Sequence, residues 1–330
     1  MNAINLDRPA ANRLRKTAAC AAAVAGACAV MHAAHGQQYP DRVVRIVTAE
    51  AGGGGDFVAR VVAQGLIESL GQPVIVENRA GVQSIEAVSR AQADGYTLLL
   101  HGSSIWLTPF LRESARWDPL MDFAPITIPS SSPNILVVHP ALPVKSVREL
   151  IAFARAKPGA LNFGALVGGS AHLAAELFKA MAEIQITNIP YKGNGPALTA
   201  VMGGEVQMMF PNAAAVTVHV KAGRLRALAV TSSQPSVLAP GLPTVAAAGL
   251  PGYESISRHG MLAPARTPSA IVARLNRDIA RYLATPDAAK RLLAAGVEAV
   301  GSSPEELTEA MKAEMTRLGK VIRDAGIRAE

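Results

Sequence analysis

Four consecutive glycines, Gly52 to Gly55, lead into Asp56 and an apolar run at helical spacing. That combination suits anion binding. Glycine carries no Cβ and tolerates positive φ, so a ligand can approach its backbone closely. The first N–H groups of a helix have no partner within it. Together with the helix dipole they favour an anion by roughly 0.3–2 kcal/mol. Val43, Val44, Ile46 and Val47 read as a strand entering the turn. Asp56 stands where an N-cap is expected. Val58, Val61, Val62, Leu66 and Leu70 form a helical stripe that Gly71 and Pro73 end. A Walker A loop would need Gly-Lys-Ser/Thr after the turn, and Asp56-Phe57 follows instead. A dinucleotide fingerprint would need a third glycine that Asp56-Phe57-Val58 does not supply. The alternative is a tight strand–helix connection that holds nothing.

Other stretches carry related chemistry. Ser103 and Ser104 offer hydroxyls after the strand Tyr96 to Leu100. Gly168-Gly169-Ser170 repeats the glycine-to-helix arrangement, with Ser170 read as an N-cap. Tyr191 and Lys192 follow the strand Thr187 to Pro190 and read as rim residues. Asn212 follows Val206 to Phe210. His172 has no visible partner for catalysis and reads as a packing residue at a helix start. The histidines show no metal spacing such as H-E-x-x-H. Gly102-Ser103-Ser104-Ile105 lacks the closing glycine of a nucleophile elbow. No paired carboxylates sit in contexts that would tune two pKa values apart. No metal and no cofactor is expected.

The elements that position these residues alternate, behind a leader. Residues 1–36 read as a signal peptide: Arg13, Arg15 and Lys16, then an alanine-rich run from Thr17 to Met31, then Ala34-His35-Gly36. Cleavage is expected after Gly36, which makes the protein periplasmic. Ala27-Cys28 offers a lipoprotein site as the alternative. Both cysteines, Cys20 and Cys28, fall in this segment, so the mature chain is expected to use neither disulfides nor thiols. The net charge of +7 is partly the leader's, which has four basic residues and one acid, leaving +4 for the remainder. The bases are scattered and aromatics make up 4% of the chain, which argues against nucleic acid.

From Val43 to Thr231 strands alternate with helices, which argues for mostly parallel sheets. Pro268 to Ala284, Pro286 to Ala295 and Pro304 to Ala325 read as a helical tail, each with proline near its start. Residues 37–139 are expected to begin one lobe, 140–258 to form an inserted second lobe, and 259–330 to complete the first. The crossings then fall near His139-Pro140 and Arg258-His259.

Six motifs in order carry a resemblance: the glycine loop, Glu77-Asn78-Arg79-Ala80-Gly81, Asp94-Gly95-Tyr96-Thr97-Leu98-Leu99, Ser170-Ala171-His172-Leu173-Ala174, Pro190-Tyr191-Lys192-Gly193, and Leu242-Pro243-Thr244-Val245-Ala246. With them the chain from about Tyr39 to Ile327 resembles the Bug family, extracytoplasmic solute receptors of tripartite tricarboxylate transporters. The resemblance implies a class II periplasmic-binding-protein fold, α/β, with two lobes closing over a small ligand, often a carboxylate. It implies a non-catalytic receptor that serves membrane subunits of a transporter or a periplasmic sensor domain, and the chain is expected to be a monomer. The grip it implies uses backbone amides, hydroxyls and waters.

On these grounds the expected ligand contacts are Glu50, Ala51, Gly53, Gly54, Asp56, Ser103, Ser104, Gly169, Ser170, Tyr191 and Asn212. An exported α/β enzyme using the same cleft is the competing reading. Three stretches depart from the family pattern: Thr48-Ala49-Glu50 before the glycines, the shortened turn Val82-Gln83-Ser84-Ile85, and Pro211-Asn212. Glu50 in the cleft would repel a multivalent anion and favour a ligand with a donor or cationic group.

Overall fold

The computed structural model describes residues 39–49, 51–79 and 81–328. The leader, the leader cysteines and Glu50 therefore lie outside the described residues. From Arg42 onward the chain forms one compact unit, built on two sheets. Its first half runs β1 (Val44–Thr48), α1 (Gly54–Leu70), β2 (Val74–Asn78), α2 (Val82–Ser89), β3 (Thr97–Gly102), α3 (Ser104–Leu111), β4 (Phe123–Pro133) and β5 (Ile135–Val138). The middle runs α4 (Val147–Ala156), β6 (Leu161–Ala165), α5 (Ser170–Ala182), β7 (Ile186–Pro190), α6 (Asn194–Met202), β8 (Met208–Met209), α7 (Ala213–Lys221) and β9 (Arg226–Val230). The chain then returns through β10 (Ile256–Pro264), α8 (Ser269–Leu283), α9 (Pro286–Ala294), β11 (Glu298–Ala299) and α10 (Pro304–Asp324).

The first sheet has the order β11-β4-β10-β3-β1-β2, the second β7-β6-β8-β5-β9. Both are mixed, which corrects the expectation of mostly parallel sheets. β1 pairs parallel with β2 and β3, and β6 with β7 and β8. The other five pairings are antiparallel: β10 with β3 and β4, β11 with β4, and β5 with β8 and β9.

In the first sheet the reason lies in two strands that sequence reading passed over. β4 is Phe-Ala-Pro-Ile-Thr-Ile-Pro-Ser-Ser-Ser-Pro, and its prolines and serines resemble a loop. A proline fits in a strand where its nitrogen has no ladder partner to serve, and the short β11 pairs only at Ser130 and Ser131. β10 contains Arg258-His259-Gly260, which resembles a connection between domains. It enters the sheet between β4 and β3 and reverses its direction.

β5 was expected to end the first lobe at residue 139, yet it pairs entirely within the second sheet. The outward crossing is therefore Asn134, between the end of β4 and the start of β5. Its N–H donates to Thr231 Oγ1 at 2.8 Å and its carbonyl accepts from Thr231 N–H at 2.9 Å. The return crossing is Ser255, whose N–H reaches the Thr231 carbonyl at 2.9 Å. Asn134, Thr231 and Ser255 thus lie side by side.

The core of the first sheet is aliphatic. Val44, Ile46, Leu98, Leu99 and Leu100 are fully buried, as central strands covered on both faces require. α1 lays Val58, Val61, Val62 and Leu66 against them. It stops at Gly71, whose φ of 67° lets its N–H close on the Ile67 carbonyl. The other face of α1 meets α8 through Gly65. An alanine Cβ there would stand 2.1 Å from Tyr282 Cγ. Gly65→Ala must therefore displace the Tyr282 ring, and should lower stability by about 1–3 kcal/mol. A urea titration of wild type and variant checks this: an unchanged midpoint would mean the helices separate freely.

Candidate functional site

A cleft lies between the ends of the two sheets. It has an outer cavity of about 560 Å³ and an inner one of about 240 Å³. Ser104, Leu111, Gly168 and Gly169 border both, so the two are compartments of one space. One wall belongs to the first sheet, through the loops after β2 and β3. The other is the turn from β6 into α5. The bottom of the inner compartment is closed by Ser255, Ser257 and Glu314.

Two helix starts face this space. α5 begins from Gly169 (φ −74°, ψ 166°), and no side chain caps that residue. The N-cap is therefore Gly169, and Ser170, expected to cap, is the exposed first helical residue. α3 begins from Ser103, likewise without a side-chain cap. Trp106 N–H closes on the Ser103 carbonyl at 3.2 Å. No side chain caps the first turn of either helix, and both starts lie beside the cleft, an arrangement that accepts anions.

The hydroxyls are less free than their types imply. Ser103 Oγ donates to the Arg258 carbonyl at 3.3 Å and accepts from the Arg258 N–H at 3.2 Å. It clamps the end of β3 to β10. Ser104 Oγ lies 3.2 Å from His101 Nδ1 and borders both compartments. His101 and Arg112 line the outer compartment, and Arg112 brings a positive charge to it.

The glycine run of the first lobe has a different part. Asp56 is the third residue of α1, not its N-cap; the cap is Gly53. The Asp56 carboxylate is buried. It accepts from Gly52 N–H at 3.0 Å, Arg60 Nε at 3.2 Å and Asn78 Nδ2 at 2.9 Å. Burial alone would raise its pKa, but the bonds from Arg60, Gly52 and Asn78 outweigh that and hold it at about 2. Asp56 therefore supplies the negative group that the start of α1 favours, and it engages one of the amides thought to be open. Ala51, Gly53 and Gly54 are exposed and border neither compartment. Beneath the run lies His259, whose ring an added Cβ on Gly54 or Gly55 would approach to 3.9 Å. Desolvation and the field of His101 lower the His259 pKa to about 4, and its Nδ1 lies 3.0 Å from Ser130 Oγ.

Tyr191 and Asn212 also sit apart from both compartments. The Tyr191 ring covers Gly164, where an added Cβ would stand 3.1 Å from Tyr191 Cε2. Asn212 caps α7 by accepting from Ala215 N–H at 2.9 Å. Of the expected contacts, then, the cleft brings together Ser103, Ser104, Gly169 and Ser170. The turn from Gly81 to Gln83, singled out above as a departure from the family pattern, lines the outer compartment, while sequence reading did not name His101, Arg112 or Glu314. His101 had a signal, since it stands two residues before Ser103 at a strand end. Glu314 had none, because its approach depends on the fold of the last helix.

Residues 58–327 match the family described as the tripartite tricarboxylate transporter family receptor. The chain belongs to that family. Protein BugT of Bordetella pertussis (strain Tohama I) is 37% identical over 295 residues, which is 87% of this chain and 90% of BugT. An R. palustris protein solved with adipate is 38% identical, with a TM-score of 0.71 over 88% of this chain and 99% of its own. MatC from Rhodopseudomonas palustris, solved with bound malate, is 27% identical, with a TM-score of 0.68 over 86% of this chain and 100% of its own. The receptor is thus a periplasmic solute-binding protein of the tripartite tricarboxylate transporter type, with the two-lobed α/β fold of that family.

The Asp56 bonds set a pH test. A carboxyl whose folded pKa lies below its ordinary 3.8 adds stability above that value, and the gain disappears as pH falls toward 2. Asp56→Asn should cost about 1–3 kcal/mol at neutral pH. The gap from wild type should close between about pH 4 and pH 2. Denaturation series of both proteins across that range check it, and a constant gap would count against the carboxylate's role.

Proposed function

We propose that the receptor captures a small carboxylate in the cleft, one carboxyl group lying against the first-turn amides of α5 and the Ser104 corner of α3. The observation that carries this reading is the pair of helix starts, neither capped by a side chain, bordering one cavity. Arg112 in the outer compartment adds a positive charge for a second acidic group. The adipate and malate held by two relatives fit the same chemistry. An outer compartment of about 560 Å³ lies within the usual size range of small-molecule sites.

The start of α1 is a poorer anion site, because the Asp56 carboxylate already occupies its field. Val at Gly53 or Gly54 would therefore leave ligand affinity largely intact, while altered amides at Gly169 and Ser170 would lower it. Glu50 keeps its proposed part as a filter against multivalent anions, outside the described residues.

The lobes comprise the two sheets with their flanking helices, joined at Asn134 and Ser255. Closure about these neighbouring strands would desolvate the bound carboxyl group and strengthen its amide contacts. The ligand is then handed to the membrane subunits of a tripartite transporter; a periplasmic sensor domain is the alternative recipient.

A thermal-shift series with adipate, malate, succinate and citrate tests the site. A ligand that binds only the native state adds about 2.7 kcal/mol at a hundred times Kd. At least one dicarboxylate should raise the melting temperature, and Arg112→Gln should reduce that shift. Stabilisation by neutral amides alone, with no response to any acid, would refute carboxylate capture.

A further inference from the structure

The two lobes enter α1 and α5 through the same backbone turn. Gly52 has φ 79° and Gly168 has φ 76°, both left-handed. Each is followed by an extended glycine N-cap, Gly53 at φ −78°, ψ 169° and Gly169 at φ −74°, ψ 166°. In each turn the third helical residue reaches back to the amide of the left-handed glycine. Asp56 accepts from Gly52 N–H at 3.0 Å, and His172 Nδ1 accepts from Gly168 N–H at 3.1 Å. This is a relative of the capping box, with the reciprocal bond moved one residue outward. Only the second turn borders the cleft, since Gly168 and Gly169 line both compartments.

The difference between the two anchors matters. Asp56 is anionic throughout the physiological range and fills the field of its own helix. His172 accepts the Gly168 proton without bringing negative charge, so the field of α5 stays available to a ligand. We infer that His172 is the positioning residue of the ligand site: its neutral Nδ1 holds the amide turn in shape, and protonation of the ring opens that turn and releases the carboxylate. The inference rests on carboxylate capture at α5 as described above.

The surroundings of the ring support this. It is buried and stacks on Phe163 of β6, with centroids 5.9 Å apart. Its Nε2 lies 3.8 Å from Glu176, which Lys179 pairs at 2.9 Å. From α10, Asp324 borders the same crevice as Glu176 and Lys179, and Lys320 pairs with it. With Nδ1 accepting, the single proton of the neutral ring sits on Nε2. Burial lowers the pKa, Glu176 works against that, and Lys179 adds to the lowering, so the ring is neutral at pH 7. A second proton would set N–H against N–H at Gly168.

The test uses the full mature chain with adipate and malate as probes, in wild type, His172→Asn and His172→Phe. Asparagine places Oδ1 where Nδ1 stands and can accept but not titrate. Losing one buried hydrogen bond to the turn corresponds to about a tenfold loss of affinity. His172→Phe should show that loss at pH 7.5 while remaining folded by circular dichroism, and His172→Asn should restore most of it. As pH falls below the ordinary histidine value of 6.5, wild type should weaken more than His172→Asn, whose profile records protonation of the probe itself.

A readout independent of any ligand is the Gly168 amide resonance, which should shift with the His172 ring titration and exchange faster in His172→Phe. Equal affinities in all three proteins would overturn the inference, as would parallel pH profiles or a Gly168 amide indifferent to the ring. Should no acid bind wild type, carboxylate capture fails, and the Gly168 amide still decides whether His172 holds the turn.

Discussion

Glu314 is a carboxylate with 1% of its surface exposed, and the architecture around the cleft depends on how it is paired. Removing such a charge from water costs several kcal/mol unless partners replace the lost hydration. Glu314 has two, from distant parts of the chain. The Arg258 guanidinium of β10 pairs with Oε1, and the Trp106 indole of α3 donates to Oε2 at 2.8 Å. Arg258 also reaches Glu254 at 2.9 Å, and Arg317 meets the same carboxylate at 3.4 Å. One buried group thus binds the last helix, the returning strand and the helix that opens onto the ligand space. Such a pair adds little net stability against an apolar isostere, but losing one partner is expensive, on the order of 3–5 kcal/mol. It therefore fixes the relative placement of three elements more than it adds to overall stability. The inner compartment inherits its shape from that placement.

Much of the fold was legible where one local signal governed. Helices with an apolar stripe and a clear stop, such as those ending at Gly71 and Ala182, lie where periodicity puts them. The parallel units followed from alternating elements. The antiparallel strands did not, because β4 and β10 are held by partners far away in sequence and carry prolines, serines and a His-Gly pair. Their pairing is a tertiary fact, and β propensity is a weak guide against it. The site shows the same division. Gly169, Ser170 and the serine pair were visible as strand-end residues. The glycine run was less legible: composition shows bare amides, but not that Asp56 folds back onto one of them.

The two glycine turns show how one backbone device acquires two chemistries. Their dihedral angles agree to within a few degrees, and in both the third helical residue supplies the acceptor. The side chain chosen for that acceptor decides whether the helix field is already neutralised. An aspartate closes the first turn as structure. A histidine closes the second and leaves the field open toward the cavity. The contrast is one of charge at a single position, which a motif search based on glycines alone treats as equivalence.

The position of β10 has a consequence for how the molecule is made. In the first sheet β10 lies between β4 and β3, so these two strands are not joined into one sheet until residues 256–264 exist. The second sheet is completed by residue 230. During synthesis the inserted lobe therefore has every strand it needs while the earlier lobe still has a gap at its centre. The sheet begun first is finished last, and its contacts span the longest stretches of chain, which makes its closure the slow event. Until then, β3 and β4 each present an unpaired edge.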